Sequence, residues 1–182
     1  KDFDYRILFI NDCSFDNYKE IIEEICLKDK KVQLVNLEKN RGQINAILTG
    51  MKITETDYLI SLDADLQDPP EIILNLIELS ENQDLDLTIA GRKSIEDNFF
   101  KKITSILHHK LISFSNKSYP SNGFNVFCVK KKIYKAISLI PEKVLCLQID
   151  LLEHSNILSY MPDGNSLKRH RQCKGNYSSH LL

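Results

Sequence analysis

The sequence predicts an α/β fold with a central, mostly parallel sheet flanked by helices, and three observations carry that prediction. Short apolar runs of strand length alternate with segments whose apolar residues recur at helical spacing. The runs are nearly continuous in apolar character rather than alternating, as in strands buried on both faces. Acidic residues gather where the runs end, which is where an open α/β sheet presents its ligands.

The elements follow in order. Residues 5–10, YRILFI, read as the first strand. Asp16 is placed to cap a helix whose Ile21, Ile22, Ile25 and Cys26 share one face. Residues 32–37 read as a second strand, and residues 43–53 as a helix with Ile44, Ile47, Leu48 and Met51 on one side. Residues 58–62 form a third apolar run that ends at Asp63. Pro69 and Pro70 open a helix running through Ser80, since proline is tolerated in a first turn whose N–H groups have no helical partner. Residues 85–90 read as a fourth strand. Beyond them the pattern predicts a long helix over 99–116, a strand over 124–129 and a lysine-rich helix from Lys130. A helix over 142–153 and weaker strands over 157–161 and 166–171 complete the reading.

The chain has 182 residues, which fits one domain with a sizeable core. A formal net charge of −1 gives no reason to expect nucleic-acid binding driven by bulk charge. Acids concentrate in the first hundred or so residues, whereas Lys101, Lys102, Lys110, Lys130, Lys131, Lys132, Lys168, Arg169, Arg171 and Lys174 load the rest. A cation site in one half and an anion site in the other would produce that asymmetry; solvated lysines would as well. The five cysteines lack CxxC spacing, so neither a disulfide framework nor a zinc site is expected. No signal peptide is visible, and no apolar run approaches the roughly 20 residues that span a bilayer. With Lys1 in place of methionine, the chain reads as a piece of something longer.

Two acidic clusters sit at predicted strand ends: Asn11-Asp12-Cys13-Ser14, and Asp63-Ala64-Asp65-Leu66-Gln67-Asp68. Carboxylates there would repel the phosphates of a nucleotide unless a divalent cation lay between them. Asp63 and Asp65 are two apart, so in an extended segment both can lean toward one ligand. Mg²⁺ or Mn²⁺ held by one or two carboxylates, its shell completed by diphosphate oxygens, suits that spacing. The alternative is a solvated loop. An EF-hand fails on position, because the sixth residue from Asp63 is Asp68 rather than glycine and the twelfth is Leu74 rather than glutamate. No GxxxxGK[ST], GxSxG or HExxH string occurs, and the adjacent His108-His109 pair has the wrong spacing for a helical metal site.

The strings Ile10-Asn11-Asp12-Cys13-Ser14-Phe15-Asp16, Asn40-Arg41-Gly42, Leu62-Asp63-Ala64-Asp65-Leu66-Gln67-Asp68-Pro69-Pro70-Glu71 and Gly91-Arg92-Lys93 resemble glycosyltransferase family two. Within it the chain is most similar to the branch of dolichol-phosphate mannose synthase and the bacterial polyprenyl-phosphate glucosyltransferases. Weaker matches are Asn122-Gly123-Phe124-Asn125, Gln148-Ile149-Asp150 and Arg169-His170-Arg171.

The resemblance implies a GT-A fold, a Rossmann-like sandwich. It implies a nucleotide diphosphate sugar as donor, UDP favoured over GDP, and transfer with inversion. Asp12 would contact the nucleobase, with Arg41 and Gly42 also on the nucleotide. Asp63 would sit near ribose and metal, and Asp65 and Gln67 at metal and diphosphate. Arg92 would meet phosphate charge, as would Arg169 and Arg171, for which an exposed basic loop is the alternative. Asp150 falls where other members place a catalytic base; a helix-surface carboxylate is the alternative.

Where the dolichol branch often carries Asp-Phe-Arg, this chain has Gly123-Phe124-Asn125. A polyprenyl phosphate acceptor, already anionic, needs no strong base, whereas a sugar hydroxyl would need one such as Asp150. The chain is therefore expected to be one domain, with a nucleotide and metal half to about residue 92 and an acceptor half over 93–182. It is expected to work at the cytoplasmic face of a membrane, anchored by regions outside this chain, its oligomeric state open. The rival from another class is a non-catalytic nucleotide- or metal-binding module.

Overall fold

A computed structural model describes residues 3–15, 17–65, 68–90, 124–140, 146–155, 157–161 and 168–171, the last two segments by backbone alone. The chain divides into two compact units, Lys1–Thr54 and Glu55–Leu182.

The first unit is built from β1 (Ile7–Asn11), α1 (Tyr18–Lys28), β2 (Val32–Asn36) and α2 (Gln43–Ile53). The two strands pair in parallel, Ile7 opposite Val32 and Asn11 opposite Asn36. Of the α1 residues expected on one face, Ile22 is buried and Cys26 half-buried, whereas Ile21 and Ile25 are exposed. The helix stops where Asp29 turns extended and its N–H closes on the Ile25 carbonyl at 2.8 Å. Asp16, the expected cap, lies outside the described residues. In α2, Gly50 and Met51 are buried. A Cβ at Gly50 would stand 3.7 Å from Ile10 Cγ1, so this turn of α2 lies against β1.

The second unit contains β3 (Tyr58–Ser61), α3 (Ile72–Asn82), β4 (Leu87–Ala90), β5 (Phe127–Lys130), α4 (Lys131–Ser138), α5 (Leu147–His154), β6 (Ile157–Met161) and β7 (Lys168–Arg171). Its sheet has the order β3-β5-β4-β6-β7. β5 lies antiparallel between β3 and β4, β4 and β6 are parallel, and β7 is antiparallel to β6. The α/β class expected from the sequence holds, and the larger sheet is mixed. Three of its strands share one direction, while β5 and β7 oppose them. Nothing local marks β5 for that direction: its Phe-Cys-Val core is as apolar as a parallel strand would be, and its partners lie far away in sequence.

The core of this unit lies between α3 and the sheet, where Leu76, Ala90, Val126 and Cys128 are buried together. The Pro69-Pro70 pair sets up α3, the N–H groups of Ile72 and Ile73 bonding the two proline carbonyls at 3.1 Å each. One turn apart on α3, Leu76 and Ser80 both face inward. The Ser80 and Thr88 hydroxyls lie 2.8 Å apart, and Thr88 also donates to the Leu76 carbonyl, so these buried polar groups are satisfied. Burial pushes the Cys128 thiol up to about 11.

After β5 the chain turns into α4, which buries Ile133, Tyr134 and Ile137. Its lysines are ion-paired. Lys131 and Lys135 reach Glu55 at 3.0 and 2.5 Å, Lys132 reaches the buried Asp86 at 2.7 Å, and Lys130 bonds Asp84. The basic run 130–132 is thus matched acid by acid, which accounts for part of the charge asymmetry without an anion site. The expected helix over 99–116 lies outside the described residues.

Candidate active site

In the first unit the carboxyl ends of the parallel strands carry a small polar framework. Asn11, the last residue of β1, is buried; its Nδ2 donates to Asn36 Oδ1 at 2.8 Å, across the strand pair. Its Oδ1 accepts from the Ser14 N–H at 2.9 Å, and its carbonyl accepts from the Leu37 N–H at 2.9 Å. The chain turns sharply there, with Cys13 at φ 61°. Asp12 then spans to the start of α2: Oδ1 accepts from the Arg41 N–H and Oδ2 from the Gly42 N–H, each at 2.7 Å. Gly42 has φ 85° and ψ 159°, a region open essentially to glycine alone. Asn45, one turn into α2, donates to the Arg41 carbonyl at 2.6 Å.

Asp12, Arg41 and Gly42, expected on the nucleotide, are therefore brought together. The Asp12 carboxylate accepts from the N–H of the N-cap residue Gly42 and from that of Arg41 just before it. It thereby sets the shape of the loop, a task the sequence does not reveal. Asn11, Asn36 and Asn45 complete the framework. Sequence reasoning assigned these neutral side chains no role because they carry no charge signal.

In the second unit Asp63 follows β3, half-buried, and its Oδ2 accepts from Asn125 Nδ2 at 2.8 Å. Asp65 lies two residues on and is exposed. Among the described residues no group of three or more His, Cys, Asp or Glu side chains can hold a metal ion. Asp63 and Asp65 supply two carboxylates, the number Mg²⁺ commonly takes from protein when phosphate and water fill the remaining positions. Gln67 and Arg92 lie outside the described residues.

The Phe124 carbonyl, next to Asn125, accepts from Gln148 Nε2 at 3.3 Å. Gln148 is in the first turn of α5, the helix that carries Asp150. Asp150 is half-buried, and burial pushes its carboxyl above the ordinary value of 3.8 despite nearby His154. Arg169 and Arg171 are on β7, paired in register with Ser159 and Ile157. β3 and β7 are opposite edges of the sheet. At about 4.8 Å per strand spacing they stand roughly 19 Å apart, so the two arginines and Asp63 are not neighbours in the sheet.

The family model described as "Glycosyl transferase family 2" matches residues 1–139. The chain belongs to glycosyl transferase family 2. Among curated relatives, the uncharacterised glycosyltransferase YkcC of Bacillus subtilis is 37% identical over 141 residues, covering 76% of this chain and 43% of that protein. The undecaprenyl-phosphate 4-deoxy-4-formamido-L-arabinose transferase of Edwardsiella ictaluri is 33% identical over 135 residues, 73% of this chain and 41% of the relative. Its counterpart in Proteus mirabilis is 33% identical over 111 residues, 60% of this chain and 34% of the relative. The chain spans less than half the length of these curated relatives.

Among solved structures, S. aureus TarS 1–349 superposes with a TM-score of 0.57 at 15% identity, covering 87% of this chain and 49% of that one. The same protein in complex with UDP-GlcNAc gives 0.54 at 14% identity, covering 97% and 52%. At that identity the likeness speaks for the fold alone. Family and fold neighbours agree with the GT-A reading of the sequence, and the relatives' names agree with the polyprenyl-phosphate branch. Among the described residues no helix is long and apolar enough to cross a membrane.

Proposed function

We propose that the protein containing this chain transfers a hexose, with inversion at the anomeric carbon, from a nucleotide diphosphate sugar to a polyprenyl phosphate, with Mg²⁺ or Mn²⁺ as cofactor. The observation that carries the reading is the Asp63-Ala64-Asp65 segment at the carboxyl end of β3 in a family 2 chain, with Asp63 steadied by Asn125. Asp63 and Asp65 would hold the cation, with Gln67 beside them in sequence. A cation bound there would offset negative charge growing on the departing diphosphate. Asp12 keeps Arg41 and Gly42 in the conformation that shapes the nucleotide side. Arg92 is assigned to phosphate charge. UDP is favoured over GDP as donor nucleotide, as the sequence resemblance implies. The acceptor follows from the relatives named for undecaprenyl phosphate. Arg169 and Arg171 would meet its phosphate, and regions outside this chain would hold the enzyme at the cytoplasmic face of the membrane.

One observation favours a second acceptor class. The half-buried Asp150 has a carboxyl pushed up by burial, the direction that prepares a general base for a sugar hydroxyl. Two variants of the full-length enzyme, assayed with Mn²⁺, UDP- or GDP-sugars and undecaprenyl phosphate, separate the readings. For the phosphate acceptor, Arg169→Ala combined with Arg171→Ala cuts turnover by orders of magnitude and Asp150→Asn changes little. A dead Asp150→Asn beside an active double arginine variant makes the acceptor a hydroxyl. Absence of turnover together with absence of Mn²⁺-dependent UDP binding would mean a non-catalytic module.

A further inference from the structure

We infer that Asn125 is the positioning residue for Asp63, holding one carboxylate oxygen so that the group meets a divalent cation in a single orientation; this rests on the cation site proposed above. The geometry follows from strand register. β3 and β5 are antiparallel, and Ser61 opposite Phe127 is the last pair of their ladder at this end. Asp63 lies two residues beyond Ser61, and Asn125 two residues before Phe127. They therefore occupy the next cross-strand position on the same face, where side chains of an antiparallel pair approach each other. The 2.8 Å bond from Nδ2 to Oδ2 is that contact. The orientation of the amide is settled by chemistry, since a carboxylate only accepts and the nitrogen must face it.

The donor is rigid because its neighbours are. Phe124 and Val126, on either side, are each 1% exposed. The Phe124 ring meets Phe127 edge-on at 6.2 Å, and its carbonyl is tied to Gln148. The Val126 carbonyl accepts from the Ala90 N–H at 3.0 Å. Asn125 thus presents its amide from a backbone fixed on both sides. As a neutral donor, Asn125 bonds the carboxylate without adding charge beside the cation. Hydrogen-bond partners of metal-binding carboxylates act this way, and losing one typically costs 10–100-fold in metal affinity or activity.

The test uses the full-length enzyme and reads free Mn²⁺ by electron paramagnetic resonance, with and without UDP. Asn125→Ala is expected to weaken Mn²⁺ binding in the presence of UDP by about 10–100-fold, while UDP affinity in the absence of metal stays at the parental level. A general disturbance of the fold would move both. Asn125→Leu removes the donor at nearly constant shape, is expected to show the same selective loss, and replaces the alanine variant if that one unfolds. If the parent binds Mn²⁺ with UDP and a folded Leu variant binds it equally well, this inference is overturned alone. If the parent shows no Mn²⁺-dependent UDP binding, the cation site itself is overturned and the inference goes with it.

Discussion

Replacing Asp12 by alanine should lower stability and nucleotide affinity together. The position of a carboxylate just past a strand suggests the opposite for stability, since it is outside the core. The structure gives both of its oxygens to backbone amides at the start of α2, at 2.7 Å each. Hydrogen bonds to a charged partner contribute about 1.5–3 kcal/mol when well shielded. Both bonds here are exposed, and the released amides of Arg41 and Gly42 can turn to water, so about 1–2 kcal/mol for the pair is the expected loss. For a chain of this size that is a fall of about 3–6 °C in melting midpoint. Asp12→Asn keeps the shape but points an NH₂ group at one of the two N–H groups, so it should lose at least half as much. Thermal denaturation of the two variants and the parent, with UDP titration of each, makes the comparison. Midpoints within about 1 °C of the parent for both variants would refute the role of Asp12 as an amide clamp.

Three further outcomes are expected. Gly50→Ala should raise the midpoint by about 2–4 °C, because alanine is favoured by about 1 kcal/mol inside a helix and the new Cβ would meet Ile10 at an ordinary 3.7 Å; a lower midpoint would show that α2 and β1 have no such room. Lys135 and then Lys131 hold the Glu55 carboxyl below its ordinary value of 4.5, so its contribution is full above that value and is lost as pH falls further, through the lower folded-state value. Glu55→Gln should therefore flatten the acid limb of the midpoint-against-pH curve, and salt should mimic it; an unchanged limb counts against these pairs. Burial raises the Asp150 carboxyl, so its ionised form opposes folding once the pH passes the ordinary value of 3.8. Asp150→Asn should be slightly more stable than the parent at pH near 7 and equal to it below that value, which a pH series of melts checks directly.

Much of the architecture was legible because it is written locally. β1 and β3 are apolar runs, and α2 shows its inward face in the spacing of Ile44, Ile47, Leu48 and Met51. Both helix and strand bounds fall within a few residues of the expected ones. Sheet order was not legible, because the placing of β5 between β3 and β4 depends on pairing across tens of residues, and an apolar strand looks the same in either direction. The site divides in the same way. Asp12, Asp63 and Asp65 stood out as acids at strand ends. What Asp12 and Asp63 do depends on partners far off in the chain, Arg41 and Gly42 for one and Asn125 for the other. A neutral asparagine two residues ahead of a strand has no signature of its own until the register sets it opposite a carboxylate.

The mixed sheet also has a consequence for biosynthesis. Among the described strands of the second unit, β3 pairs with β5, and β4 lies between β5 and β6, so both strands leave the ribosome before these partners exist. At about 5–20 residues per second, the stretch from Ala90 to Phe127 takes roughly 2–7 s to make. Throughout that interval Leu59, Ile60, Leu87 and Ile89 have no ladder to join, and unpaired apolar strands of this kind invite the wrong partners. β1 and β2, separated by one helix, can close almost as soon as they emerge. The nascent chain should therefore complete its amino-terminal βαβα unit first and rely on chaperones, or on α3 folding back over β3 and β4, until β5 arrives to join them.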